Sequence, residues 1–158
     1  MCLFAFAQIG VAALPGTNFP EPMGPPTFED LTEGARGEIW AAIRKKMDAA
    51  ELILQSSQDV ADADELIAEA RDAAAASGDP AIQSQFPALE AILHMDYYWY
   101  KSAEAPLLLL ITATGDAANE SRAEWAYDQL FELYLMSEIY DEARELSIER
   151  VSMAERFT

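Results

Sequence analysis

Apolar residues recur along this chain every three or four positions, the period of a helix with one buried face. Trp40, Ile43, Met47, Ala50 and Leu54 form the first such stripe, which runs to about Ser56. Thr27 and Thr32 both precede it as N-caps, since a threonine hydroxyl can accept from a free N–H of the first turn. Gly34 and Gly37 weaken the opening turns, so regular helix is expected from near Gly37. The polar run Gln55-Ser56-Ser57-Gln58 is a turn, and Asp59 or Asp62 caps a second helix. That helix carries Ala63, Leu66, Ile67, Ala70, Ala73 and Ala74 on one face and ends at Ser77-Gly78.

Asp79-Pro80 joins an N-cap to a proline at the first helical position, a strong start signal. Pro87 lacks a backbone donor and is expected to kink or restart the segment, with the main third helix running from there through Leu89, Ile92, Leu93 and Asp96. A fourth helix covers about Ser102 to Thr112, with Pro106 tolerated in its first turn. Leu107 to Ile111 are apolar all round, the pattern of a buried central helix. Thr114-Gly115-Asp116 breaks it. The fifth helix runs from about Asn119 to Ser137 and the sixth from about Tyr140 to Arg156. The pattern predicts an all-α fold of six helices, arranged as three antiparallel pairs stacked into a short α-α superhelix.

Composition agrees with that reading. Ala, Leu, Glu and Asp dominate and β-branched residues are sparse, which favours helix. With 158 residues the chain suits one domain, able to bury roughly 70% of its unfolded surface. The domain is expected over 27–158, preceded by a lead over 1–26. Residues 1–14 of the lead are apolar and uncharged, and the next thirteen hold five prolines, the mark of a linker. Ala5-Phe6-Ala7 before Gln8 has the small residues of a secretory cleavage site, without a basic n-region. Two readings follow. Either residues 1–7 end a signal peptide and the protein is periplasmic or secreted, or an apolar terminus packs on a cytoplasmic domain. The stretch is too short to span a membrane, which takes about 20 residues, so no stable membrane insertion is expected.

The formal net charge of −18 changes the list of partners more than the fold. It disfavours nucleic acid, whose phosphates need Lys and Arg to displace counterions. Arg44-Lys45-Lys46 is a short basic run between acids and reads as a solvated helix face. A protein or peptide, basic by charge complementarity, is the expected partner.

Two spacings suggest internal repetition. Gly78-Asp79 and Gly115-Asp116 lie 37 residues apart, and Tyr100-x-x-Ala103 and Tyr140-x-x-Ala143 lie 40 apart. Periods of that order mark stacked helix pairs. In the last pair, residues 127–151, the stretch YDQLFELYLMSEIYDEARELSIERV resembles a tetratricopeptide repeat. Tyr127, Leu130 and Tyr134 match its first helix, Tyr140 opens the second, and Ala143 falls at the close crossing. Phe131, Glu138 and Arg150 depart from the small residues usual there, and the earlier pairs match only in outline. The resemblance implies a scaffold that holds peptides or partner proteins in a groove lined by the odd-numbered helices, without catalysis. Glu124, Asp128 and Glu132, four apart on the fifth helix, are then the expected contacts for a basic peptide. A helix ending at Thr158 lacks the polar cap that solenoids need, which leaves a second reading open: the helical part of a larger, exported enzyme.

Candidate chemistry is thin. Tyr97-Tyr98-Trp99-Tyr100 cannot all face one core, so Tyr97 and Trp99 are candidates for a binding platform, against the alternative of a wedge between helix pairs. His94 follows Glu90 by four residues, where a di-metal bundle needs Glu-x-x-His in repeated copies. Asp59, Asp62, Asp64 and Glu65 lack the glycine of a calcium loop and read as capping and first-turn acids. Cys2 is the single cysteine, and there is no phosphate loop or nucleophile elbow. No catalytic residue, metal ligand or cofactor is expected.

Overall fold

The computed structural model of the chain describes residues 26, 28–29, 31–56, 60–97, 100–113 and 117–156. Among these are six α-helices and no strands: α1 Gly34–Ser56, α2 Val60–Ala76, α3 Pro80–Asp96, α4 Tyr100–Thr112, α5 Ala117–Met136 and α6 Tyr140–Arg156. The expected apolar start, Cys2 and the expected cleavage-site positions Ala5 to Gln8 lie outside the described residues, as do Asp59, Tyr98 and Trp99.

Each helix packs along the next, most broadly in the α1–α2, α3–α4 and α4–α5 pairs and most lightly between α2 and α3. Across the pairs, α1 touches α3 and α3 touches α5, whereas no two even-numbered helices meet among the described residues. The odd helices therefore form one layer and the even helices the other. The even layer is regular: the fourth residues of α2, α4 and α6 are Ala63, Ala103 and Ala143, buried and spaced at 40-residue intervals. A side chain no larger than a methyl lets the neighbouring helix come close at each of these points.

The core forms two clusters that share α3. Trp40, Ile43, Met47, Ile67, Ile82 and Phe86 fill the first, between α1, α2 and α3. Leu107, Leu110, Trp125, Tyr127, Leu130 and Tyr134 anchor the second, with Ala88 and Ala91 of α3 facing it. Fully burying a side chain such as Leu130 is worth about 1.5–3 kcal/mol.

The expected restart at Pro87 does not occur, and Pro106 departs from its expected place in a first turn. α3 begins at Pro80 and continues through Pro87, and α4 contains Pro106 beyond its first turn. Asp79 secures the start of α3, its carboxylate accepting from the N–H groups of Ala81 (2.9 Å) and Ile82 (3.4 Å). A mid-helix proline costs about 3 kcal/mol through a lost hydrogen bond and a clash. Here the carbonyls that lose a donor belong to Gln83 and Ser102, both exposed residues, while Phe86, Ala88 and Leu107 hold the flanking turns in the core. α4 is not buried all round either: Leu108 and Leu109 are 42% and 58% exposed. One face of α4 packs between α3 and α5, and the opposite face reaches solvent.

α5 ends in a Schellman motif. Ile139 N–H donates to Tyr134 O (2.8 Å) and Glu138 N–H to Leu135 O (3.2 Å), with Glu138 at φ +60°. That left-handed position normally takes glycine.

Candidate functional site

Before α1 the described residues 26, 28–29 and 31–33 form an irregular strap that lies over the layer of odd helices. Pro26 and Leu31 are buried, and Phe28 packs against both core clusters. A left-handed turn at Gly34, φ +62°, leads the strap into α1. The strap then runs so close to α1 that a Cβ at Gly37 would collide with the Thr32 carbonyl.

The strap reaches the other two odd helices through Glu29. Its backbone N–H donates to Gln85 Oε1 on α3 (2.6 Å), and its carboxylate faces Arg122 on α5 (Oε1 to Nη2, 3.5 Å). Arg122 is 2% exposed and Gln85 fully buried, an unusual place for a guanidinium and an amide. Arg122 also donates to Asn119 Oδ1 (2.7 Å) and Ser84 Oγ (3.4 Å). Even so, Arg122 Nε and Gln85 Nε2 find no hydrogen-bond partner among the described residues. Leaving a buried donor unpaired costs about 1–3 kcal/mol. An open cleft of about 600 Å3 adjoins the strap, lined by Leu31, Glu33, Ala35, Arg36 and Asp79. There Arg36 Nε donates to Asp79 Oδ2 (2.6 Å), tying α1 to the cap of α3 and holding the Asp79 carboxyl below the usual range.

A second buried polar group joins α2 to α3. Glu90 and His94 are each 3% exposed, and Arg71 of α2 donates to the Glu90 carboxylate through Nε (3.2 and 3.3 Å) and Nη2. His94 Nε2 lies 3.6 Å from Glu90 Oε1. Burial pushes the Glu90 carboxyl up, but His94 and Arg71 outweigh it and leave it below the ordinary glutamate value. Through these bonds Arg71 ties α2 to α3. No group of three or more His, Cys, Asp or Glu among the described residues is placed to hold a metal ion.

The expected partner contacts fall elsewhere. At 100° per residue, Glu124, Asp128 and Glu132 lie roughly 200°, 240° and 280° around α5 from Arg122. The acidic stripe is thus on a different side of α5 from the strap. Glu124 and Glu132 are exposed, but Asp128 is half-buried and ion-paired with Arg150 of α6. Tyr97, half-buried, packs against the first core cluster, so it serves as an edge of the core; Trp99 lies outside the described residues. Tyr127, Leu130, Tyr134 and Ala143 are buried together in the second cluster, whereas Tyr140 is 63% exposed. Asp62, Asp64 and Glu65 are exposed at the start of α2.

Sequence reasoning missed Glu29, Gln85 and Arg122, whose association spans 56 and 93 residues. The available signal was Phe28 and Leu31, two large apolar residues between the prolines and the first helical stripe. No helix among the described residues is long and apolar enough to cross a membrane. Compared with protein-family models, with curated proteins and with solved structures, the chain gives no significant match.

Proposed function

We propose that the protein is a non-catalytic interaction module of the tetratricopeptide type, which holds a linear segment of a partner across its odd-numbered helices. One observation carries this reading: the chain's own strap already lies on that layer, contacting α1, α3 and α5 through a mixture of apolar burial and side-chain-to-backbone bonding. The Gln85 side chain accepting from a backbone N–H is a device suited to any peptide, because every non-proline residue supplies that donor. The 40-residue spacing of Ala63, Ala103 and Ala143 supports the repeat assignment. The exposed Glu124 and Glu132, in a chain of net charge −18, favour basic regions elsewhere on the partner.

A peptide-display screen against the full chain tests the reading, with hydrogen exchange locating any selected peptide. Protection is expected on the α1, α3 and α5 residues beneath the strap. Protection confined to α2, α4 and α6, or a screen that enriches nothing, would refute it.

A further inference from the structure

We infer that Gln85 and Arg122 form a seat for an acidic side chain on a linear peptide, and that the strap's Phe28, Glu29 and Leu31 are a built-in competitor for it. The inference rests on the proposed binding role and adds the chemistry of the segment and the way access is controlled.

The seat is built from buried groups. Arg122 is a guanidinium at 2% exposure on α5, and Gln85 is a fully buried amide on α3. Both side chains converge on Glu29, one on its carboxylate and the other on its N–H. A buried cation demands an anion, because the cost of taking it out of water is offset only by close pairing. Glu29 meets that demand poorly. Its carboxylate stands 3.5 Å from Nη2, at the outer limit of a hydrogen bond, and its side chain remains 52% exposed. Two buried donors, Arg122 Nε and Gln85 Nε2, are left over. Donors in surplus select for a ligand rich in acceptors. A carboxylate inserted a little deeper would take a bidentate pair from Arg122, the stronger geometry for this side chain.

The flanking contacts define the rest of the ligand. Phe28 precedes the acid and packs against both core clusters, and Leu31 follows two residues after it at 3% exposure. The recognised pattern is aromatic, acidic, any residue, aliphatic. A partner carrying that pattern must displace the strap, so the strap sets a threshold for binding. If the strap is seated nine-tenths of the time, apparent affinity falls about tenfold. Because the chain's −18 charge repels an acidic peptide at long range, added salt should not weaken this association.

The test uses the full chain and a fluorescein-labelled peptide copying residues 24–33, followed by fluorescence anisotropy. The comparison is between the native chain and Phe28→Ala/Glu29→Ala, with circular dichroism as the control for folding. The strap-weakened chain is expected to bind about tenfold more tightly than the native chain. Replacing the peptide's glutamate at the Glu29 position by glutamine should abolish most of that binding. Raising salt from about 50 to about 500 mM should leave it intact or strengthen it. Should the double variant fail to fold, Glu29→Ala alone, changed at an exposed side chain, replaces it in the same comparison. Equal binding by native and altered chains, an equally tight glutamine peptide, or a salt-driven loss would each overturn the inference. Display-selected peptides that protect the odd helices yet ignore the strap substitutions would overturn it while the binding role stood. A screen that enriches nothing, with no strap-peptide binding either, would remove both.

Discussion

Arg71→Ala should weaken the join between the first helix pair and the rest of the fold. Contact between α2 and α3 is the slightest of any neighbouring pair, and the Arg71–Glu90 ion pair spans it. The Glu90 side chain is 4% exposed and that of Arg71 is 53% exposed, so the pair stands at the boundary between solvent and core. Breaking a fully buried pair costs about 3–5 kcal/mol, and an exposed one about 0.2–1 kcal/mol. For this half-covered case the expected loss is about 2 kcal/mol, including the packing of the arginine stem. In a chain of 158 residues that corresponds to a fall in Tm of roughly 4–8 °C. Urea unfolding followed by far-UV circular dichroism measures it, with the denaturant slope unchanged if only stability is affected. Glu90→Gln supplies the control: without a buried carboxylate to strand, adding Arg71→Ala should cost about 0.5 kcal/mol or less. The pH dependence has a definite sign. The Glu90 carboxyl is held below its unfolded value, so its contribution is present above about pH 4 and is lost as pH falls through the depressed folded value. The gap between native protein and Arg71→Ala should therefore shrink on acidification. The reasoning fails if Arg71→Ala is neutral at about pH 7, or if it costs as much in the Glu90→Gln background.

Other outcomes can be checked with the same unfolding assay. Glu138→Gly should stabilise by about 0.5–1 kcal/mol, because a non-glycine residue in the left-handed region pays a steric cost that exceeds glycine's extra unfolded-state freedom; a lower urea midpoint would contradict this. Gly37→Ala should destabilise by about 1–3 kcal/mol through overpacking against the Thr32 carbonyl, and should speed hydrogen exchange at the Glu29 amide; a neutral result would show that the strap can move aside without cost. The Tyr134 phenol is pushed up to about 12, first by burial and then by its hydrogen bond to Glu104 Oε1 (2.9 Å). Its contribution to stability is complete below about pH 10 and declines as pH approaches the folded value, and Tyr134→Phe should remove that decline in an alkaline titration.

The helices were legible because most carry an apolar stripe of helical period, and a stripe is a local pattern. Tyr140 to Arg156 could be bounded to the residue, since the turn before it and the apolar spacing within it agree. Pro87 and Pro106 misled for a related reason: the rule against mid-helix proline is local, while the packing that overrides it comes from α1, α2 and α5. The exposure of Leu108 and Leu109 was hidden because a run of five apolar residues has no polar face to reveal which side meets solvent. The candidate site was the least legible part. Arg122 has no local feature that distinguishes it from a solvated arginine, and its burial depends on a strap far away in sequence. The acidic stripe of α5, by contrast, was easy to see and faces away from the strap.

The distance between Glu29 and Arg122 has a consequence for the order in which the fold is completed. Most contacts here join neighbouring helices, a topology that forms quickly. The strap's seat is different, closing a loop of 93 residues. At translation rates of about 5–20 residues per second, Glu29 is made roughly 5–20 s before Arg122 exists. Through that interval the first helix pair and α3 can assemble with Gln85 in place but without the cation. The odd-helix layer is thus completed only once α5 has been made, and the nascent chain passes through a stage in which nothing yet holds the Glu29 carboxylate.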